Sequence, residues 1–299
     1  MQNGTVLITG MSGFIGSYIA RELRDSYNVA GTFHNNPTSI AGCHFVAMDI
    51  TDETDVNRVV DEVKPQAVIH SAAARNIDFC ESNREAADRL NVLATRYVAR
   101  AAARVGARLI HISTDNVFGG EKGMYTEADE ARPINYYGLT KLRAEQEAQE
   151  ATDRAVVLRV AHVYGAARGF SSNALEDEIN KIASGKRIRL YTDQIRTPVL
   201  VSDIAKAISS ILAREDVTGI FHIAGPDKVN RYELCCIAAR VFGLNADLIE
   251  PVTVDEAPTP VKRPRDLSLI IEKARAAFDY TPLPLPKGIA TMRIIGPAD

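Results

Sequence analysis

Tyr137 and Lys141 stand four residues apart in the run 135–141, Asn-Tyr-Tyr-Gly-Leu-Thr-Lys. On a helix that spacing puts both side chains on one face, about a turn apart. A free phenol ionises near ~10, too high for acid–base work at neutral pH. A lysine ammonium beside it favours the phenolate and brings the phenol within reach of proton transfer. Tyr136 has Thr140 at the same offset, so Tyr137 alone has a cationic partner. The pair by itself is a weak signal, because Tyr and Lys fall at this spacing in many helices. Its weight depends on the elements around it.

The segment 5–9 is a short apolar, β-branched run, and the glycine-rich turn Gly10-Met11-Ser12-Gly13-Phe14-Ile15-Gly16 follows at once. Residues 17–24 then read as a helix. Strand, glycine turn and helix in that order are the context a dinucleotide fingerprint needs, here spaced GxxGxxG. The glycines let the backbone approach a pyrophosphate, whose charge a helix N-terminus stabilises. A turn that merely links strand to helix is the alternative.

Further apolar runs at 28–33, 44–47, 67–70, 108–113 and 155–160 alternate with helical stretches at 54–63 and 85–105 and with the Tyr137 helix. Strands apolar throughout and separated by helices imply a parallel sheet covered on both faces. The expected fold is α/β, a doubly wound parallel Rossmann-type sheet with a smaller C-terminal substrate-binding region. Ligands should lie beyond the carboxyl ends of the strands, where Gly10, Ala72, Thr114 and His162 fall. Residues 1–164, with 199–224 returning to them, form the expected dinucleotide-binding domain. Segments 165–198 and 225–299 form the expected substrate region. It contains helices at 172–184 and 231–242, while 201–212 and 219–223 read as a helix and a strand. Prolines at 251, 258, 260, 264, 282, 284 and 286 suggest irregular cover over a cavity, with disorder at the last few residues as an alternative.

A chain of 299 residues can bury a sizeable core, and 46% hydrophobic with 24% charged residues is ordinary for a soluble globular protein. The net charge of −3 points to no nucleic-acid partner. No apolar run approaches the ~18 residues of a membrane span, and the opening strand leaves no room for a signal peptide. Cys43, Cys80, Cys235 and Cys236 form no metal-ligand or disulfide pattern, so no metal is expected and a reducing cytoplasm fits.

With these pieces assembled, the chain resembles the extended short-chain dehydrogenase/reductases, and within them the dTDP-4-dehydrorhamnose reductase family. The matching segments are GMSGFIG at 10–16, MDITD at 48–52, HSAAA at 70–74 and NVLATRYVARAA at 91–102. HISTDNVFGG at 111–120, YTEADEARPINYYGLTKLRAE at 125–145, RTPVLVSDIA at 196–205 and RPRDLSL at 263–269 also match. The resemblance implies that Gly10, Ser12, Gly13, Phe14, Ile15 and Gly16 cradle the cofactor pyrophosphate. It implies that Asp49 and Ile50 flank the adenine and that Ala72, Ala73 and Ala74 line the path to the nicotinamide. Thr114 would bond the substrate carbonyl, Tyr137 would deliver the proton, and Lys141 would hold the nicotinamide ribose and depress the Tyr137 pKa. Asn91 would support them from the neighbouring helix. Plainer roles stay open: Thr114 capping a turn with Ser113 as the hydroxyl donor, Asn91 as a satisfied helix residue, Asp49 as a helix cap.

NAD-preferring sheets place an acid at the end of the second strand, whereas 31–36 here read Gly-Thr-Phe-His-Asn-Asn, which favours NADPH over NADH, with His34 and Arg24 as candidate helpers. Two departures bear on the substrate. Asn116 stands where the family commonly has Tyr, and His162 where it commonly has Trp, so an aromatic face for the sugar is lost. Asp115, Asn116, His162 and Arg196 are the expected substrate contacts, and Arg196, Arg263 and Arg265 could meet a diphosphate, with exposed salt bridges as the alternative. The expected activity is reduction of a nucleotide-linked 4-keto-6-deoxysugar, with a homodimer left open. A nucleotide-sugar epimerase or a non-catalytic NADP-binding regulatory subunit are the alternatives. A 4,6-dehydratase is disfavoured, because Asn116 replaces the Glu of its Thr-Asp-Glu triplet.

Overall fold

The computed structural model describes residues 4–34, 39–167 and 172–292. The chain runs through β1 (Thr5–Thr9), α1 (Phe14–Leu23), β2 (Asn28–Phe33), β3 (Cys43–Ala47), α2 (Glu53–Val63) and β4 (Ala67–His70). Short helices α3 (Ile77–Ser82) and α4 (Arg84–Ala87) lead through a π-helical segment, Asp88–Leu93, into α5 (Ala94–Arg104). Then come β5 (Arg108–Thr114), a 3-10 turn at Asp115–Val117, α6 (Tyr136–Ala151) and β6 (Val156–Val160). The remainder contains β7 (Val163–Tyr164), α7 (Ala174–Ala183), β8 (Ile188–Tyr191), β9 (Ile195–Arg196), β10 (Val199–Leu200) and α8 (Val201–Leu212). It closes with β11 (Gly219–Ile223), β12 (Val229–Asn230), α9 (Arg231–Val241), β13 (Ile249–Val252), α10 (Glu272–Phe278) and α11 (Leu285–Ala290).

Seven strands form one sheet in the order β11-β6-β5-β4-β1-β2-β3, every neighbouring pair parallel. Alternation along each strand sends side chains to two cores. Val6, Ile8, Ile110 and Leu158 join α1 and α8 residues such as Ile19, Leu23, Ile204 and Ile208 on one face. Leu7, Val68, Leu109 and Val157 meet Val56, Val59, Val60, Val98 and Ala148 on the other. The doubly wound parallel sheet expected from the sequence is the fold observed.

Differences in detail have local causes. The first helix begins at Phe14 rather than 17, because Gly13 is its N-cap and the end of the glycine motif is already helical. The long helix expected at 85–105 contains the π-helical segment, which periodicity cannot reveal. The proline-rich tail is not wholly irregular, since it contains β13, α10 and α11. The two-residue strands pair as β7 with β10 and β9 with β12. Residues 35–36, which bear on cofactor choice, and the last seven residues lie outside the described residues. Cys235 is buried in α9 and Cys236 half-buried beside it, as packing residues.

Four imidazoles are withdrawn from bulk water. Burial pushes His70 and His222 down to about 3, and His111 and His162 well below the usual histidine range. Each is neutral in the folded chain, whereas in the unfolded chain it protonates near ~6.5. The unfolded state therefore binds more protons as pH falls from about 6.5 towards 3, and folding weakens over that window. Urea unfolding should give a clearly lower midpoint at pH 5 than at pH 7.5, with a smaller difference in a His222→Gln variant.

Candidate active site

A cavity of about 1330 Å³ opens beyond the carboxyl ends of the central strands. The glycine turn forms one wall. Gly10 has φ +68, and a Cβ there would lie 2.9 Å from the Ala72 backbone, so only glycine lets β1 and β4 end this close together. Helices α2, α6, α7 and α9 are capped by the side chains of Asp52, Asn135, Asn173 and Asn230. Helix α1 has Gly13 at its N-cap, no side-chain cap and no acid in its first turn. Its first amides, by Phe14, Ile15 and Gly16, are left for an anion at the cavity wall, and Ser12 lines the same wall. A dinucleotide pyrophosphate fits such a cradle.

His34 and Asp49 stand at the outer end of this wall, Nε2 to Oδ2 3.7 Å. Asp49 Oδ1 accepts from the Thr51 amide and hydroxyl, both at 2.8 Å, and these bonds hold its carboxyl below the usual range. It is not the helix cap, because Asp52 fills that place. Ile50 and Ala72, Ala73 and Ala74 also face the cavity. Asn91 does not. From the π-helical segment its Oδ1 accepts from Ala74 N at 2.8 Å, and its Nδ2 donates to Ala74 O at 3.1 Å and Thr140 Oγ1 at 2.9 Å. Asn91 thus ties the loop after β4 to α6.

The reactive end is built by β5 and α6. Thr114 ends β5 and caps the 3-10 turn, its Oγ1 accepting from Asn116 N at 3.2 Å, and it also reaches the Tyr137 phenol. The turn-capping reading of Thr114 is therefore what the structure shows, with its hydroxyl also within reach of the phenol. The Ser113 hydroxyl is given to buried Glu145, itself paired with Arg159 at 2.7 Å. Asn135 caps α6 through Gly138 N at 2.9 Å and so sets Tyr137 in its first turn.

The expected pairing of Lys141 with the phenol is not what the geometry shows. Lys141 Nζ donates to Ile112 O at 2.7 Å and lies 3.2 Å from His111 Nε2. Burial pushes Tyr137 up to about 12, opposed by the Thr114 hydroxyl and the Arg75 guanidinium and reinforced by Asp115. Burial likewise pulls Lys141 down to about 8, with Glu145 opposing. The lysine is held one turn away, in the same cavity wall.

Asp115 is buried, and burial raises its carboxyl, while the Arg196 charge and bonds from Thr114 and Asn116 oppose that shift. Asn116 Nδ2 donates to its Oδ1 at 2.8 Å. His162 lines the cavity with Nε2 unpartnered among the described residues. Kept neutral, it offers a hydrogen bond and not a charge near neutral pH. Arg196 needs correction as a diphosphate ligand. Its guanidinium donates to the carbonyls of Ile195 at 2.7 Å, Arg265 at 3.0 Å and Pro264 at 3.1 Å. Arg265 faces outward and pairs with Asp255 at 3.0 Å, whereas Arg263 lines the cavity while bonding Asp78 at 2.8 Å.

Arg231, the first residue of α9, lines the cavity and was not evident from sequence. It reads there as part of a capped surface helix, and only the tertiary fold turns it inward onto Glu178. Arg75 and Arg89 were missed for the same reason. With Lys141, Arg196, Arg231 and Arg263 they give six basic side chains in the wall against the acids Asp49 and Asp115. A chain of net charge −3 thus presents a basic cavity, which attracts an anionic ligand.

Fold and site together place the chain among the extended short-chain dehydrogenase/reductases. More narrowly, residues 4–293 match the model of the RmlD substrate binding domain family, and the chain belongs to it. It is 34% identical over 264 residues to methionine adenosyltransferase 2 subunit beta of Xenopus laevis, covering 86% of this chain and 78% of that one. It is also 34% identical over 263 residues to the probable low-salt glycan biosynthesis reductase Agl14 of Haloferax volcanii, covering 86% and 87%. The crystal structure of dTDP-4-dehydrorhamnose reductase from Bacillus anthracis in complex with NADP superposes with a TM-score of 0.86 at 26% identity, covering 97% and 98%. Among the described residues no helix is long and apolar enough to cross a membrane.

Gly138 allows α6 to approach the turn after β5, for a Cβ there would lie 2.1 Å from Asn116 O and 2.9 Å from Pro133 Cβ. Gly138→Ala should cost about 1–3 kcal/mol by overpacking. Thermal unfolding should register the loss, and displacement of Tyr137 relative to Thr114 should weaken turnover beyond it.

Proposed function

We propose that this protein is an NAD(P)H-dependent ketoreductase acting on a nucleotide-linked 4-keto-6-deoxysugar. The observation that carries the reading is the gathering of Thr114, Tyr137 and Lys141 in the cavity that begins at the uncapped N-terminus of α1. The nicotinamide supplies hydride when bound. Thr114 and Tyr137 both present hydroxyls to the ketone oxygen and stabilise the alkoxide as it forms. Tyr137 then gives up its proton, which its burial makes costly without a cation. Lys141, held one turn away on Ile112 O and His111 rather than on the phenol itself, is the cation of this wall that would serve Tyr137 through the nicotinamide ribose it anchors. Gly10, Ser12, Gly13, Phe14, Ile15 and Gly16 take the pyrophosphate, Asp49 and Ile50 the adenine, and Ala72, Ala73 and Ala74 the path to the nicotinamide. The absence of a carboxylate at 31–34 favours NADPH, with His34 near the 2′-phosphate.

Segments 165–198 and 225–299 act as the substrate region. Asp115, Asn116 and His162 face the sugar, Arg263 keeps the anion-binding role expected of it, and Arg231 joins it in place of Arg196 and Arg265. A second reading is a regulatory, non-catalytic subunit. The likeness to methionine adenosyltransferase 2 subunit beta favours it, and the intact Tyr137 and Lys141 weigh against it.

Purified protein should oxidise NADPH faster than NADH when given dTDP-4-keto-6-deoxyglucose with a 3,5-epimerase. Oxidation without the epimerase would point to a different deoxysugar product. Cofactor binding with no oxidation in either case would sink the sugar reductase reading in favour of the regulatory one. Tyr137→Phe should lower kcat roughly 100- to 10,000-fold while cofactor affinity, measured by fluorescence titration, stays nearly unchanged.

A further inference from the structure

His111 is a buried group that the proton-transfer scheme leaves unused. It lies in β5, three residues before Thr114, and is 1% exposed. Its Nε2 is 3.2 Å from Lys141 Nζ, and its Nδ1 has no partner among the described residues. The His70 ring lies beside it, centroids 5.4 Å apart and tilted by 31°.

The hydrogen-bond network assigns the protons. A lysine ammonium has three donors and no acceptor, so His111 Nε2 must accept from it and its own proton sits on Nδ1. His70 is fixed the other way round. Thr95 Oγ1 donates to Asn91 O at 2.7 Å, so it accepts from His70 Nε2 at 3.1 Å. His70 Nδ1 is then left to accept from Thr9 Oγ1 at 2.7 Å. One histidine has both nitrogens satisfied by hydroxyls. The other leaves a buried N–H unpaired, a costly arrangement unless its second nitrogen is needed elsewhere.

We propose that His111 is a positioning residue for Lys141, a neutral imidazole held as the Nδ1–H tautomer so that Nε2 keeps the ammonium charged and in place. This rests on reading Lys141 as the cation that serves Tyr137. Other groups face the lysine. Glu145 stands one turn further along α6 and is neutralised by Arg159 of β6, His70 approaches from β4, and Tyr137 lies one turn back on α6. Asp115 and Cys80 act on Tyr137. Among the described side chains, His111 alone makes a hydrogen bond to Nζ, the other acceptor being the Ile112 carbonyl.

The test uses the whole protein without substrate. ¹⁵N-histidine NMR of the wild type should show His111 as Nδ1–H across neutral pH. The Lys141 pKa, read from its side-chain ¹³C shift, should fall by roughly one unit in His111→Leu, which removes an acceptor of the charged form. In His111→Gln, whose Oε1 can replace Nε2, it should stay near the wild-type value. In turnover assays the alkaline fall of kcat should move with that pKa. An Nε2–H tautomer, an unmoved Lys141 in the Leu variant, or a Gln variant that shifts as Leu does would each overturn the proposal. If the Leu variant fails to fold, the wild-type tautomer and the Gln variant still decide. Because the NMR readouts need no substrate, an inactive wild type would count against the reductase reading and leave this one standing.

Discussion

One amide side chain joins the two halves of the site. Asn91 closes both polar groups of Ala74 with its own Oδ1 and Nδ2, and spends its second N–H on Thr140 in α6. The loop after β4, which lines the cavity, is thereby fixed to the helix that carries Tyr137 and Lys141. Thr140 passes the linkage on to Tyr137 O at 2.8 Å, and the Asn91 carbonyl takes the Thr95 hydroxyl that holds His70. Asn91, Thr140, Thr95 and His70 are buried and Ala74 is half-buried, so loss of the amide would strand several polar groups at once. The π-helical segment around Asn91 is the local distortion that accompanies this placement, as such segments do at functional sites.

The same economy runs along α6. Its inward face carries Thr140, Lys141 and Glu145 where an ordinary helix on a sheet would have apolar residues. Glu145 is matched by Arg159, whose guanidinium also lies 5.1 Å from the Phe118 ring centroid, and by the Ser113 hydroxyl. Buried pairs of this kind are poor evidence of net stability, because desolvation offsets much of the attraction. Their effect here is geometric. They join β5, β6 and α6 through Ser113, Arg159 and Glu145, and the same three elements bring Thr114 within reach of Tyr137.

How much was legible in the sequence follows from how local each signal is. The strands of the sheet are runs of apolar residues, and their alternation with helices gave the fold class directly. Gly10 to Gly16 and the Tyr137–Lys141 spacing are fixed by contiguous residues, and both fall in one cavity as expected. The two-residue strands β7, β9, β10 and β12 are too short to have a period. The residue type left Arg196 open to a diphosphate or a salt bridge, and its bonds to three backbone carbonyls are contacts across the fold that no local pattern reveals. Arg231 and the His111–Lys141 contact depend on which face of a neighbouring element a side chain meets, and a single sequence does not encode that visibly. The phenol was expected to feel Lys141, while depth in the cavity dominates its ionisation.

The guanidinium of Arg196 grips the main chain of 264–265, and the adjacent amides extend the join, Ile195 N to Arg265 O at 2.7 Å and Leu267 N to Ile195 O at 3.0 Å. Asp266 N in turn bonds Gly120 O at 3.0 Å, tying the same stretch to the loop beyond the Thr114 turn. The outer wall of the cavity is therefore fastened through backbone atoms that every amino acid shares. Apart from Arg196, the side chains of this stretch take no part in these bonds, so their exchange can retune what enters the cavity while the Thr114 turn stays in place.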